Sequence, residues 1–152
     1  MKTSPNGRKF IELWEDLWLK AADDGFGTLT IGYGHTTSAG PPRVYKGMTI
    51  TKDEADRILS ADLASVEAAV DHWVKVPLTQ NQFDALVSFT FNEGEGALKK
   101  STLLKDINAG RLDRVTADFA KWNRAGGRVV RGLVRRRAAE AKLFNTGKVQ
   151  GP

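Results

Sequence analysis

The chain has 152 residues, 41% of them apolar and 27% charged, the balance of a globular protein that buries a core as one domain or two small lobes. It has no cysteine and two histidines, His35 and His72, which excludes disulfides and thiolate metal sites and leaves too few nitrogen ligands for a catalytic zinc. No metal and no cofactor is expected. The net charge of +5 is concentrated late, with nine Lys/Arg and one acid, Glu140, between Lys121 and Pro152. That run reads either as a solvated basic helix face or as a surface that attracts a polyanion. The N-terminal MKTSPNGRKF lacks the apolar centre of a signal peptide, and no run approaches the roughly 20 apolar residues of a membrane span. The expectation is a soluble, monomeric protein made in the cytoplasm, without stable membrane insertion.

Ser4-Pro5 opens the first predicted helix, with Ser4 as cap and Pro5 preset for the first turn. Phe10, Leu13, Trp14 and Leu17 share one face, and the helix is expected from about Pro5 to Glu15 or Asp16. Leu17 to Ala21 reads as a strand, DDGFG as a turn, and Thr28 to Ile31 as a second, β-branched strand. A third short strand is expected near Val44 and Tyr45, completing a small antiparallel sheet.

Thr51 to Glu54 is a capping box. It opens a long helix carried by Ala55, Ile58, Leu59, Leu63, Val66, Val70 and Trp73, and ended by Pro77. Thr79 and Gln82 form a second box, starting a helix through Phe83, Leu86, Val87 and Phe91 that stops at Asn92-Glu93-Gly94. Ser101 or Thr102 caps a helix ending at Gly110, and another covers Leu112 to about Trp122. Ala125-Gly126-Gly127 is predicted as a loop, Leu133 to Phe144 as the last helix, and Asn145-Thr146-Gly147 as the start of a frayed tail. The architecture expected is α+β: a sheet lobe over about 15–60, a helical lobe over about 1–14 and 75–145, a linking helix over about 52–74, and a ligand cleft between the lobes.

The chemistry concentrates in Glu15 to Thr36, EDLWLKAADDGFGTLTIGYGHT. Glycosidic hydrolysis needs an acid on the leaving oxygen and a carboxylate that activates water. Glu15 lies at a helix C-terminus, where the dipole disfavours an anion and Asp16 adds like-charge repulsion; both favour the protonated form of a general acid. Asp24, in a polar glycine turn, suits a base, and Thr30, on the strand facing that turn, could hold the attacking water with it. Glu12, Asp16 and Asp23 are equally acidic neighbours, and acids flanking a hairpin are as well explained as solvated surface groups.

The segment resembles the signature of the phage-type lysozymes (endolysins) of glycoside hydrolase family 24. A helix-borne Glu is followed by eight residues, Asp, five residues and Thr-Ile-Gly-Tyr-Gly-His-Thr, here Glu15, Asp24 and Thr30 to Thr36. Similarity continues through Gly47–Ala55, Val76–Gly94, Ser101–Gly110 and Gly132–Glu140. The resemblance implies a lysozyme-like fold and a muramidase that cleaves the β-1,4 bond between N-acetylmuramic acid and N-acetylglucosamine with inversion. It implies Glu15 as acid, Asp24 and Thr30 directing water, and Gly34, Phe91 and Asn92 along the sugar cleft. It also implies a structural ion pair of His35 with Asp62. Peptidoglycan glycan strands become the partner and the cell wall the place of action, reached through a holin if the chain is an endolysin.

Asn92 has a second reading as a helix C-cap. His72 matches no motif and reads as surface. Trp14, Trp73 and Trp122 fall on apolar helix faces and read as core, while Trp18 is open. Two positions depart from the family pattern: Asp16 stands where Gly is usual after the acid, and Ala22 where Tyr is usual two places before Asp24. They leave open a peptidoglycan-binding or scaffold module without turnover. A lytic transglycosylase needs the acid alone. A nucleic-acid binder is disfavoured, because GYG is too short to cradle phosphate and the basic run lacks exposed aromatics.

Overall fold

A computed structural model describes residues 1–152. Its elements in chain order are α1 (Pro5–Trp14), β1 (Trp18–Asp23), β2 (Leu29–Gly32), α2 (Lys52–Trp73), α3 (Gln80–Glu93), α4 (Glu95–Lys100), α5 (Thr102–Asn108), α6 (Val115–Ala120), the two-residue strands β3 (Arg124–Ala125) and β4 (Arg128–Val129), and α7 (Arg131–Thr146). Short 3-10 turns lie at Thr37–Ala39 and Leu112–Arg114. The chain divides into two compact units, one formed by Met1–Trp14 with Val66–Pro152, the other by Glu15–Ser65.

The unit Glu15–Ser65 is built on an antiparallel pair in which Ala22 faces Thr30 and Asp23 faces Leu29. Its core is Ile31, Tyr33, Val44, Met48, Ile50, Ala55, Leu59 and Leu63, all buried. The expected strand at Val44 and Tyr45 does not form. Val44 N donates to Thr37 Oγ1 at 2.9 Å, and Tyr45 to Met48 is a turn closed by a 3.0 Å Met48 N–Tyr45 O bond, with Gly47 at φ 86°. Backbone pairing with β1 comes later, from Ala21 N to Met48 O and from Ile50 N to Leu19 O. The capping box starts α2 as expected: Glu54 N donates to Thr51 Oγ1 at 3.1 Å and Thr51 N to Glu54 Oε1 at 3.3 Å.

The other unit is helical. Ser4 caps α1 through a 3.1 Å bond from Gly7 N, and Gly7 is required because a Cβ there would collide with the buried Asp84 carboxylate. Asp84 also accepts from Ser4 N at 3.0 Å and from Gln80 Nε2 at 2.9 Å, so α1 docks on α3 through polar as well as apolar contacts. The α3 box is complete, and the helix ends at Gly94 (φ 96°), whose N–H donates to Thr90 O. Asn92 is therefore not the C-cap. Phe89 sits at the centre of an aromatic cluster, with edge-on contacts to Phe119 and Trp122, and Phe119 extends it to Phe144.

Four further expectations change here. Helix α4 fills the interval between Gly94 and Ser101, where none was expected. The single helix over Leu112 to Trp122 is a 3-10 turn followed by the short α6. The Ala125–Gly127 loop is the bend of a hairpin, because Gly126 (φ 58°) and Gly127 (φ 77°) supply the two positive φ values that a two-residue turn needs. The end of the chain does not fray: α7 continues to Thr146, Gly147 closes it at φ 75°, and the tail returns to α1, where Trp14 Nε1 donates to Gln150 O at 2.9 Å.

The basic run is also reassigned. Of the three consecutive arginines on α7, Arg135 is exposed, whereas Arg136 and Arg137 are buried with Glu140. Arg137 Nε lies 2.7 Å from Glu140 Oε1 and its Nη1 lies 3.3 Å from Glu93 Oε1, while Ser88 Oγ donates to Glu140 Oε2 at 2.6 Å. Burial pushes the Glu140 carboxyl up and the Arg137 guanidinium down, each effect opposed by the partner's charge. Two of the nine basic residues of this run, Arg136 and Arg137, thus belong to an internal ion network rather than to a cationic face.

Candidate active site

Glu15 follows α1 directly, and its half-buried side chain meets the turn that joins Ile31 to His35. In that turn Ile31 N bonds His35 O, and His35 N bonds Ile31 O, both at 2.9 Å. So tight a reversal needs positive φ twice, at Gly32 (64°) and Gly34 (78°). Gly34 also faces the acid: a Cβ on it would stand 3.1 Å from Glu15 Oε1.

The DDGFG turn is held by its two aspartates. Asp23 Oδ1 accepts from Gly25 N at 2.7 Å and Gly27 N at 3.1 Å, and Asp24 Oδ1 accepts from Phe26 N at 2.8 Å and Thr28 N at 3.2 Å. The exposed Asp24 thus has one oxygen fixed by two amides, and its Oδ2 makes no hydrogen bond within the chain. Thr30 is buried on β2, and its hydroxyl has only a long 3.4 Å contact to Thr28 O. Ala22, opposite Thr30 in the register, presents only a methyl group.

His35 and Asp62 form a buried pair, with Nδ1 2.7 Å from Asp62 Oδ2 and Nε2 2.8 Å from Pro42 O. Both ring nitrogens are occupied, Nδ1 tying the Ile31–His35 turn to α2 and Nε2 tying it to the loop at Pro42. Burial raises the Asp62 carboxyl, and the His35 ring opposes that shift. No group of three or more acids or histidines is arranged to hold a metal ion.

Glu15, Asp24, Thr30, Gly34, His35 and Asp62 all lie in the Glu15–Ser65 unit, whereas Phe91 and Asn92 lie on α3 in the helical unit. Phe91 is half-buried, and Asn92 Oδ1 accepts from Arg137 Nη2 at 2.6 Å. Two participants escape sequence reasoning: Asp23, the twin of Asp24 in fixing the turn, and Arg137, which orients Asn92. Asp23 was visible as half of an Asp-Asp-Gly pattern. Nothing in the sequence separates Arg137 from the arginines beside it.

A helical unit and a small antiparallel unit with an acid at a helix end define a lysozyme-like α+β protein. Comparison with known proteins agrees. Residues 12–140 match the family described as Phage lysozyme. The endolysin of Bacillus phage PZA is 44% identical over 149 residues, covering 97% of this chain and 56% of that relative. The chain thus spans little more than half of that relative's length. Among solved structures, the endolysin from Escherichia coli O157:H7 phage FAHEc1 superposes with a TM-score of 0.91 at 39% identity, covering 99% of this chain and 97% of that one. The muramidase domain of SpmX from Asticaccaulis excentricus gives 0.86 at 40% identity, covering 95% and 98%. The chain belongs to the phage lysozyme family.

Proposed function

We propose that the chain is a peptidoglycan muramidase of the endolysin type, cleaving the β-1,4 bond between N-acetylmuramic acid and N-acetylglucosamine. Glu15 donates its proton to the departing glycosidic oxygen. Asp24 takes a proton from a water held with the Thr30 hydroxyl, and that water's oxygen bonds to the anomeric carbon from the opposite face, inverting it. Gly34, Phe91 and Asn92 contact the sugars, and the His35–Asp62 pair is structural. The protein works as a monomer on the wall, without nucleic acid and without membrane insertion, and reaches it through a holin if it serves a phage. No helix is long and apolar enough to cross a membrane.

The observation that carries this reading is the asymmetric Asp24. Two amides fix one oxygen and leave the other unbonded beside a strand whose Thr30 hydroxyl is barely engaged. A carboxylate so placed is held in position without being consumed by its own fold. The relatives, an endolysin and a muramidase domain, support the same reading. Asp16 and Ala22 favour a second reading, a wall-binding module without turnover, since both positions depart from the family pattern beside the acids.

Mass spectrometry of digested sacculi decides between them. The muramidase reading expects new reducing muramic ends, lost in Glu15→Gln while its circular dichroism and wall binding persist. Anhydro ends, or binding without release, would overturn it.

A further inference from the structure

The helical unit carries an open surface depression of about 650 Å³ that contains none of the residues discussed above as catalytic or sugar-contacting. Its walls are Trp73, Leu104, Ser101, Asn108 and Ala109 together with four lysines, Lys75, Lys99, Lys100 and Lys105. The half-buried indole of Trp73 is fixed at its edge, where Nε1 donates to Glu95 Oε2 at 2.8 Å. Asn108 fastens the rim by donating to Trp73 O at 3.0 Å and accepting from Lys75 N at 2.8 Å. Lys99 Nζ stands over the indole face, 5.1 Å from the ring centroid.

The lysines lack carboxylate partners, although Lys75 Nζ donates to His72 O and Lys99 Nζ lies over the indole. The ion-paired lysines of the chain are Lys2, Lys52 and Lys121, and none of the four around this cavity pairs with a carboxylate. Glu95, the acid at the rim, accepts from the indole N–H and forms no ion pair with these lysines. Exposed lysines gathered on one depression attract an anion, and a fixed aromatic wall beside them suits the apolar face of a ring. From this we infer that the cavity binds an acidic saccharide, a sugar ring carrying one carboxylate or phosphate, with Lys99 leaving the Trp73 face to join Lys100 and Lys105 on the anion and the ring taking its place against the indole. Such a site would hold the protein on anionic wall material independently of bond cleavage. The choice of a sugar as carrier rests on the muramidase reading, but the test does not, because monosaccharides offer no bond to cut.

The intact chain, labelled with ¹⁵N, is titrated with N-acetylmuramic acid, N-acetylglucosamine 6-phosphate, N-acetylglucosamine and inorganic phosphate. The Trp73 indole resonance is identified by its loss in Trp73→Phe. Both acidic sugars are expected to shift it saturably, the tighter of the two naming the anion, and the neutral sugar is expected to leave it in place. The triple variant Lys99→Glu, Lys100→Glu, Lys105→Glu is expected to weaken binding about tenfold or more. The milder pair Lys100→Gln, Lys105→Gln is expected to weaken it severalfold and guards against misfolding of the triple. The inference is overturned if neutral and acidic sugars shift Trp73 alike, if inorganic phosphate binds as tightly as the acidic sugars, or if the lysine variants bind unchanged. Binding without any wall hydrolysis would leave the site intact and remove only the muramidase reading; hydrolysis without binding would do the reverse.

Discussion

At the scale of single residues, the site depends on a missing side chain. Gly34 has φ 78°, and a Cβ there would press on the Glu15 carboxylate at 3.1 Å. Gly47 has a similar φ of 86° and nothing within 4 Å. Gly34→Ala and Gly47→Ala should therefore each lose about 1 kcal/mol of stability from the strained backbone. Only Gly34→Ala should also displace the acid, with turnover falling about tenfold or more. Denaturant midpoints and wall-lysis rates measured side by side check this, and equal rates in the two variants would remove Gly34 from the site. The sequence displayed Gly32 and Gly34 within TIGYGHT, so the turn was legible. The approach of Glu15 to Gly34 was not, because it depends on where the chain leaves α1.

At the scale of elements, capping chemistry could be read directly, since the boxes at Thr51 and Thr79 involve residues three apart and are specified locally. The strand near Val44 was misread because β-branched and aromatic residues favour extended backbone only when a partner edge is available, and Thr37 claims the Val44 N–H instead. The hairpin around Gly126-Gly127 was missed because strands of two residues show no alternation. The arginine triplet is the sharpest case. Arg135→Ala should change stability by no more than about 0.5 kcal/mol, as an exposed charge. Arg137→Ala should cost about 3 kcal/mol, because Glu140 stays buried with half its compensation gone. Urea denaturation of both distinguishes them, and comparable losses would contradict the internal network.

The helices α5 and α6 hold a pH-dependent feature, the buried neighbours Asp106 and Asp118. Burial, then the bond to Asp106, raises the Asp118 carboxyl, while the bond to Asp118, then Arg111, holds Asp106 low. Arg111 Nε and Arg114 Nη1 stand 2.8 and 3.9 Å from Asp106 Oδ1, and Lys121 Nζ stands 3.4 Å from Asp118 Oδ1. A group whose folded value is raised stabilises the fold fully below its unfolded value, and that contribution is lost as pH rises through the folded value. Asp118→Asn keeps a donor toward Asp106 at every pH. Its melting temperature should match the parent near pH 4 and exceed it by about 3 °C at pH 8, what about 1 kcal/mol is worth in a chain of this length. A difference independent of pH would mean that the pair shares no proton.

At the scale of the whole molecule, the sequence conveyed an α+β architecture and the family, because spaced motifs along nearly the full length constrain both. It did not convey that two of the late positive charges are internal, since burial depends on partners far away in sequence, Ser88 and Glu93 for Arg136 and Arg137. The proposed reaction makes one demand that no binding module and no two-step glycosidase meets. Water directed by Asp24 and Thr30 must arrive on the face opposite the departing oxygen, so the first product differs in anomeric configuration from the β-linked substrate. Proton NMR of a soluble glycan fragment, recorded within the first minutes of digestion and before mutarotation, reads this directly. The account predicts that the α anomer of the new reducing end appears first; initial accumulation of the β anomer would contradict it.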